Sequence, residues 1–87
     1  MDKKDRSQDI QILSRNILWL RRYHGISQKQ MAVLLKIGTG SLRKLEAGIL
    51  PPRLGVNIFF DIYRHFGIPP KVLLGTLLEE QHNSPRL

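Results

Sequence analysis

The stretch KIGTGSLRKLE, residues 36–46, sets two glycines around a threonine, then a serine and two cations. Two chemistries use such a pattern. A loop of small residues can cradle a nucleotide's phosphates with bare backbone amides, and a helix that opens on small residues can lie close against a phosphate backbone. The first chemistry demands more than is here. A dinucleotide fingerprint needs a preceding strand, a third glycine at the right offset and an acid about 20 residues later. The other common phosphate loop needs Gly-Lys-Ser/Thr in order. Neither is present, so the small residues are read as the first turn of a helix that approaches a DNA backbone or its neighbouring helix. No carboxylate pair, nucleophile with base, or metal set converges elsewhere, and His24, His65 and His82 share no metal-ligand spacing. No catalytic residue, metal or cofactor is expected, and an enzyme is the least supported class.

Charge narrows the partner. Fourteen Lys and Arg stand against seven Asp and Glu, a formal charge of +7 on 87 residues, enough to attract polyanions in a salt-dependent way. Residues 1–26 hold six cations and three anions, 27–53 five and one, and 54–87 three and three. The middle third is the charged face. The chain has no cysteine, which excludes disulfides and thiolate chemistry and suits a reducing cytoplasm. The N-terminus MDKKDRSQDI lacks the apolar stretch of a signal peptide, and no apolar run approaches a membrane span. A chain this short supports one core.

The elements that must position these residues all carry helical signals, with no alternating strand segment or hairpin dipeptide. Ile10, Leu13, Ile17 and Leu20 share one face of a first helix that Gly25 stops. Ser27 and Gln30 form a capping box, with Ile26 and Met31 as its hydrophobic staple, and open a second helix of about two turns carrying Ala32 and Leu35. Gly38 caps a third over about Gly38–Ala47, with Leu42 and Leu45 inward and Gly48 ending it. Pro51 and Pro52 stiffen the next loop. A fourth helix is expected to place Val56, Phe59, Ile62, Tyr63 and Phe66 on one core-facing side. A fifth begins at Ile68-Pro69-Pro70 and carries Val72 or Leu73, Leu74, Leu77 and Leu78. Residues 1–8 are expected to be a flexible basic arm, 9–78 the domain and 79–87 a loose tail. Lys3, Lys4 and Arg6 in the arm are either DNA contacts or simply solvated.

Two short helices joined by a few residues, each opening on a cap, describe a helix-turn-helix, whose second helix enters a groove about 12 Å wide. The segment NILWLRRYHGISQKQMAVLLKIGTGSLRKLEAG, residues 16–48, resembles without gaps the lambda-repressor-like (Cro and XRE type) DNA-binding domain. The shared features are the Leu-Arg run before a glycine, the Ser-Gln pair, Ala32 and the closing Glu-x-Gly. The resemblance implies an all-α, compact five-helix bundle. It also implies that Gln28 bonds a phosphate, that Thr39, Gly40, Arg43 and Lys44 face the groove, and that Arg21 and Glu46 form a buried pair. Ser41 joins the base-contact candidates, and Ser27, Lys29, Lys36 and Arg53 join Gln28 as phosphate-contact candidates. The alternative for Arg43 and Lys44 is an ordinary charged face.

The sequence departs from the family pattern in three places. Lys36 stands where a turn glycine is usual, at a cost of about 1–2 kcal/mol if the backbone there is left-handed. Gly40 stands where a reading side chain is common, and the segment Gly48 to Gly67 is about two residues longer than usual. Ile12, Trp19 and Tyr23 make a second apolar stripe on the first helix, to be covered either by the fifth helix or by a second subunit, with Leu73, Leu77 and Leu78 as a matching patch. The expected protein is a bacterial or phage transcriptional regulator, a repressor acting on double-stranded DNA as a homodimer in the cytoplasm, at the nucleoid. The alternative is an interaction module of the same fold, antitoxin-like or regulator-binding, with weak or no specific DNA readout.

Overall fold

The computed structural model describes the backbone of residues 3–83 and the side chains of residues 8–81. Among them every regular element is helical: α1 (Lys3–Tyr23), α2 (Gln28–Leu35), α3 (Thr39–Glu46), α4 (Asn57–Phe66), α5 (Pro70–Gly75) and α6 (Leu78–Asn83). α1 is the spine, packed along α5 and also against α3 and α6, while α2 bridges α3 and α4. The core is one cluster with Leu13, Ile17 and Leu20 at its centre, closed by Met31, Ala32, Leu35, Leu42, Leu45, Ile58, Ile62, Leu73 and Leu78. Residues 3–8, expected as a flexible arm, continue α1 backward. The run KKDRSQ contains neither glycine nor proline, so a helix anchored by its buried half propagates through it at one hydrogen bond per residue. The side chains of Lys3, Lys4 and Arg6 lie outside the described residues, as do those of His82 and the chain beyond residue 83.

Three successive helices stop by the same device. Past α1, Gly25 N–H donates to Arg22 and Ile26 N–H to Arg21. Past α2, Lys36 N–H donates to Val33 and Ile37 N–H to Ala32, and past α3, Gly48 N–H donates to Leu45 and Ile49 N–H to Lys44. This is the paired carbonyl-capping motif that needs one left-handed residue. Gly25 and Gly48 supply it at φ +66° and +86°, but after α2 the residue is Lys36 at φ 56° and ψ 42°. The left-handed turn is thus made by a side-chain-bearing residue, at the cost expected above. At Gly48 an added Cβ would also meet the side-chain amide of the exposed Gln11 at 3.3 Å, which can shift aside, so it is the conformation that favours glycine.

The last two helices differ from expectation. A single fifth helix is broken at Thr76 and Leu77 into α5 and α6, and Leu78–Asn83 is helical where a loose tail was expected. The cause is Asn16, buried on α1. Its Nδ2 donates to Leu73 O at 2.7 Å and to Thr76 O at 2.8 Å, and its Oδ1 accepts from Leu78 N–H at 2.9 Å. One amide therefore satisfies carbonyls where α5 ends and an amide where α6 begins, groups a helix terminus otherwise leaves orphaned. Leu73 and Leu78 flank the break and are both buried. On the surface, Arg15 Nη2 meets Glu79 Oε2 at 2.7 Å. That exposed pair adds less than about 1 kcal/mol.

α4 faces the core differently from the sequence reading. Ile58, Asp61 and Ile62 are buried and Phe59 and Phe66 half-buried, whereas Val56 and Tyr63, both expected inside, stand exposed together with Phe60. Apolar residues occupy positions 56, 58, 59, 60, 62, 63 and 66, nearly all round the helix, so periodicity alone could not select the buried side.

Candidate nucleic-acid interface

The candidate surface is built on α2, α3 and the loop that follows. Ser27 opens α2: its Oγ accepts from Gln30 N–H at 3.1 Å, while Gln30 Oε1 accepts from Ser27 N–H at 3.0 Å. This capping box fixes where α2 starts and leaves the earliest amides of the turn unbonded within the helix. Gly38 opens α3 in an extended conformation with no side-chain cap, so the first-turn amides of α3 are unclaimed by any side chain. Thr39 and Ser41 are half-buried and Gly40 is exposed on this turn. Neither Gly38 nor Gly40 has a positive φ, and a Cβ added to either meets nothing within 4 Å. Close approach of α2, one of the two reasons offered for these glycines, is therefore absent.

Beneath this surface lies an ion pair. Arg21 Nε donates to Glu46 Oε2 at 2.7 Å and Arg21 Nη2 to Glu46 Oε1 at 3.1 Å, a bidentate contact whose side chains are 17% and 6% exposed. Gln28 Nε2 donates to the same Oε1 at 3.0 Å, and Arg21 Nη1 to Ile26 O at 3.2 Å. Ser14 Oγ reaches the Glu46 carbonyl at 3.0 Å. Glu46 thus ties the end of α3 to α1 and to the first turn of α2. Gln28, a phosphate-contact candidate in the sequence, has its amide turned inward to this carboxylate.

The cations separate into two groups. Lys29, Arg43, Lys44 and Arg53 are exposed and without an acidic partner among the described residues. Arg53 sits on the turn closed by Leu54 N–H to Pro51 O, with Pro51 buried beneath it. Lys36 belongs elsewhere: its Nζ lies 3.8 Å from Asp61 Oδ1, as does Arg64 Nη1. Asp61 is 2% exposed, and its Oδ2 has no hydrogen-bond partner. Lys36 remains two-thirds exposed, so this long contact offsets part of its charge without withdrawing it from the surface. From Ser27 to Phe60 the only acid is Glu46, and it is covered and neutralised by Arg21. The exposed charge of this stretch is therefore of one sign.

The patch expected for a second subunit is largely used within the chain. Leu73 and Leu78 are core residues, and Trp19 packs against the core. Ile12 and Leu77 are half-buried. Tyr23 remains exposed, with its ring stacked on Trp19 at 4.7 Å and 15°. Among the described residues no group of His, Asp and Glu is placed to hold a metal ion, and no helix is long and apolar enough to cross a membrane. Sequence reading did not single out Asn16 or Asp61, nor the exposed apolar side of α4. Set against protein-family models, curated proteins and solved structures, the chain shows no match.

Proposed function

We propose that the chain is a non-enzymatic transcriptional regulator, a repressor, that binds duplex DNA with α2 and α3 acting as a helix-turn-helix and α3 lying in the major groove. The observation that carries this reading is the unopposed charge of Ser27–Arg53: four exposed, unpaired cations, Lys29 in the first turn of α2, Arg43 and Lys44 in the last turn of α3 and Arg53 in the loop beyond, with the sole acid of the stretch hidden. Amides at a helix start and its positive dipole end favour phosphate. Arg43 and Lys44 on α3 can donate to guanine O6 and N7, while Thr39 and Ser41 can touch a thymine methyl or a phosphate. Lys29 and Arg53 grip the backbone on either side, which fixes register without reading sequence.

A second reading is supported by the poverty of long side chains at Thr39 and Gly40 and by the exposed apolar side of α4. In that reading the chain binds chiefly another protein. One experiment separates the two: titration of duplex DNA at two salt concentrations, followed by selection of binders from a random duplex pool. The DNA reading expects salt-dependent binding and an enriched site. Absence of both hands the chain to the second reading.

A further inference from the structure

Lys36 and Asp61 each stand where their own chemistry disfavours them. Lys36 makes the turn from α2 to α3 with a left-handed backbone, φ 56° and ψ 42°, a conformation that costs any residue bearing a side chain. Asp61 lies on the core side of α4 at 2% exposure, where a charged group is normally paired and hydrogen-bonded. Its Oδ2 has no hydrogen-bond partner. Its Oδ1 has two cations at 3.8 Å, Lys36 Nζ and Arg64 Nη1, both beyond hydrogen-bond reach. Among the described residues no other cation pairs with it, although α4 also packs on α5, which carries the exposed Lys71. Arg64 belongs to α4 itself, so Lys36 is the one counter-charge that another part of the fold brings to Asp61.

As a stabilising device the arrangement is poor, since a neutral residue of similar volume commonly holds a core at least as well as a buried charge with loose partners. As an electrostatic device it has a direction. The Lys36 and Arg64 side chains are 67% and 64% exposed and can meet solvent or an anion, whereas the carboxylate is fixed beneath them. A buried charge is also screened by salt much less than an exposed one. We propose that Asp61 is a built-in counter-charge that weakens the grip of the α2–α3 turn on phosphate, so that the surface around Lys36 binds a polyanion less tightly than its cations alone allow. Lys36 stands three residues before Thr39, the first residue of α3, and an anion set against that start competes with Asp61 for the same ammonium. Phosphate contacts carry no sequence information. The carboxylate therefore tempers binding to every duplex alike and leaves Arg43 and Lys44, which have no acidic partner, unaffected. The inference rests on the DNA reading only for the identity of the polyanion.

The test compares the full chain with Asp61→Asn, which keeps the shape and removes the charge, by fluorescence anisotropy on a random-sequence duplex. One further phosphate neutralised adds about 0.9 to the salt slope. Release of a partly offset lysine is expected to steepen the slope by about 0.5–0.9 and to tighten binding about three- to eightfold near 0.1 M salt. The gain should vanish when Lys36→Met is also present. Glu80→Gln raises the net charge equally, on the exposed side of α6, and should tighten binding less than about twofold. Equal gains from Asp61→Asn and Glu80→Gln, or a gain that survives Lys36→Met, overturn the proposal. The pairing is also readable without a ligand. In the Asp61→Asn background, Lys36→Gly relieves the left-handed turn and should raise the thermal midpoint by about 4–8 °C. In the wild-type background it also strips Asp61 of a cation and should raise the midpoint by less than half as much, or lower it. Equal shifts in the two backgrounds overturn the coupling. A chain that ignores duplex removes the DNA reading, and heparin-agarose then decides: later elution of Asp61→Asn than of the wild type upholds this inference, and unchanged elution overturns it. Duplex binding that Asp61→Asn leaves unaltered keeps the DNA reading while this inference falls.

Discussion

Gly40 lies in the first turn of α3, where an added methyl group meets no atom of the chain. Glycine there lowers helix stability by about 0.5–1 kcal/mol relative to alanine, and nothing inside the molecule offsets that cost. Gly40→Ala is therefore expected to raise the free energy of unfolding by about that amount in urea titration. If the bare turn serves a DNA backbone, the same variant binds duplex less tightly, so stability and affinity move in opposite directions. An unchanged affinity would remove Gly40 from the contact surface. Glu46 gives the contrary case. Its carboxylate accepts from Arg21 twice and from Gln28 once, in a setting nearly closed to water. Glu46→Ala is expected to destabilise by about 3 kcal/mol, because a guanidinium is left without its anion, and replacing both partners together (Arg21→Met with Glu46→Leu) should recover most of the loss. A loss from Glu46→Ala below the range of an exposed pair would show that this ion pair does not hold α3 to α1.

Asn16 is the hinge point of the last two helices. Asn16→Ala strands two carbonyls and one amide in the core, and at about 1–3 kcal/mol for each buried group left without a partner the loss should be about 3 kcal/mol or more in chemical denaturation. Asn16→Asp should fare no better, since it keeps the acceptor for Leu78 N–H but sets a carboxylate against two carbonyl oxygens. A loss under 1 kcal/mol in either variant would mean that water replaces the amide and that the α5–α6 break has another cause. How far the elements could be read from sequence follows from where their signals lie. The capping box at Ser27 and Gln30 and the stops at Gly25, Gly48 and Gly67 are local, each decided within six residues, and the start of α2 and the ends of α1, α3 and α4 fall where those residues predict. The break between α5 and α6 is decided by an amide about sixty positions away, which no window on residues 68–80 contains. The buried side of α4 was hidden for the opposite reason, an excess of apolar positions. For the candidate surface, the sequence displayed every cation, but not that Lys36 turns toward Asp61 or that Gln28 turns toward Glu46.

At the scale of the molecule, charge and grease meet in the loop after α3, where the exposed Arg53 lies between Leu50 and Val56. The unpaired cations Lys29, Arg43, Lys44 and Arg53 belong to α2, α3 and the loop, while the exposed apolar stripe belongs to α4. If the four cations meet four phosphates, the logarithm of the binding constant should fall with the logarithm of salt at a slope of about −3 to −4 per chain, measured by fluorescence anisotropy between about 50 and 200 mM salt. Arg43→Ala should weaken an enriched site by about 1–3 kcal/mol, and Arg53→Ala should weaken all duplexes alike and flatten the slope by about one. A slope near zero would be incompatible with a phosphate-gripping surface. The bonds that Asn16 makes to residues 73, 76 and 78 also govern how the chain comes into being. Until synthesis has passed Leu78, one flank of the longest helix lacks its lid, so a chain that stops short of that residue leaves a sticky stump rather than a smaller working copy.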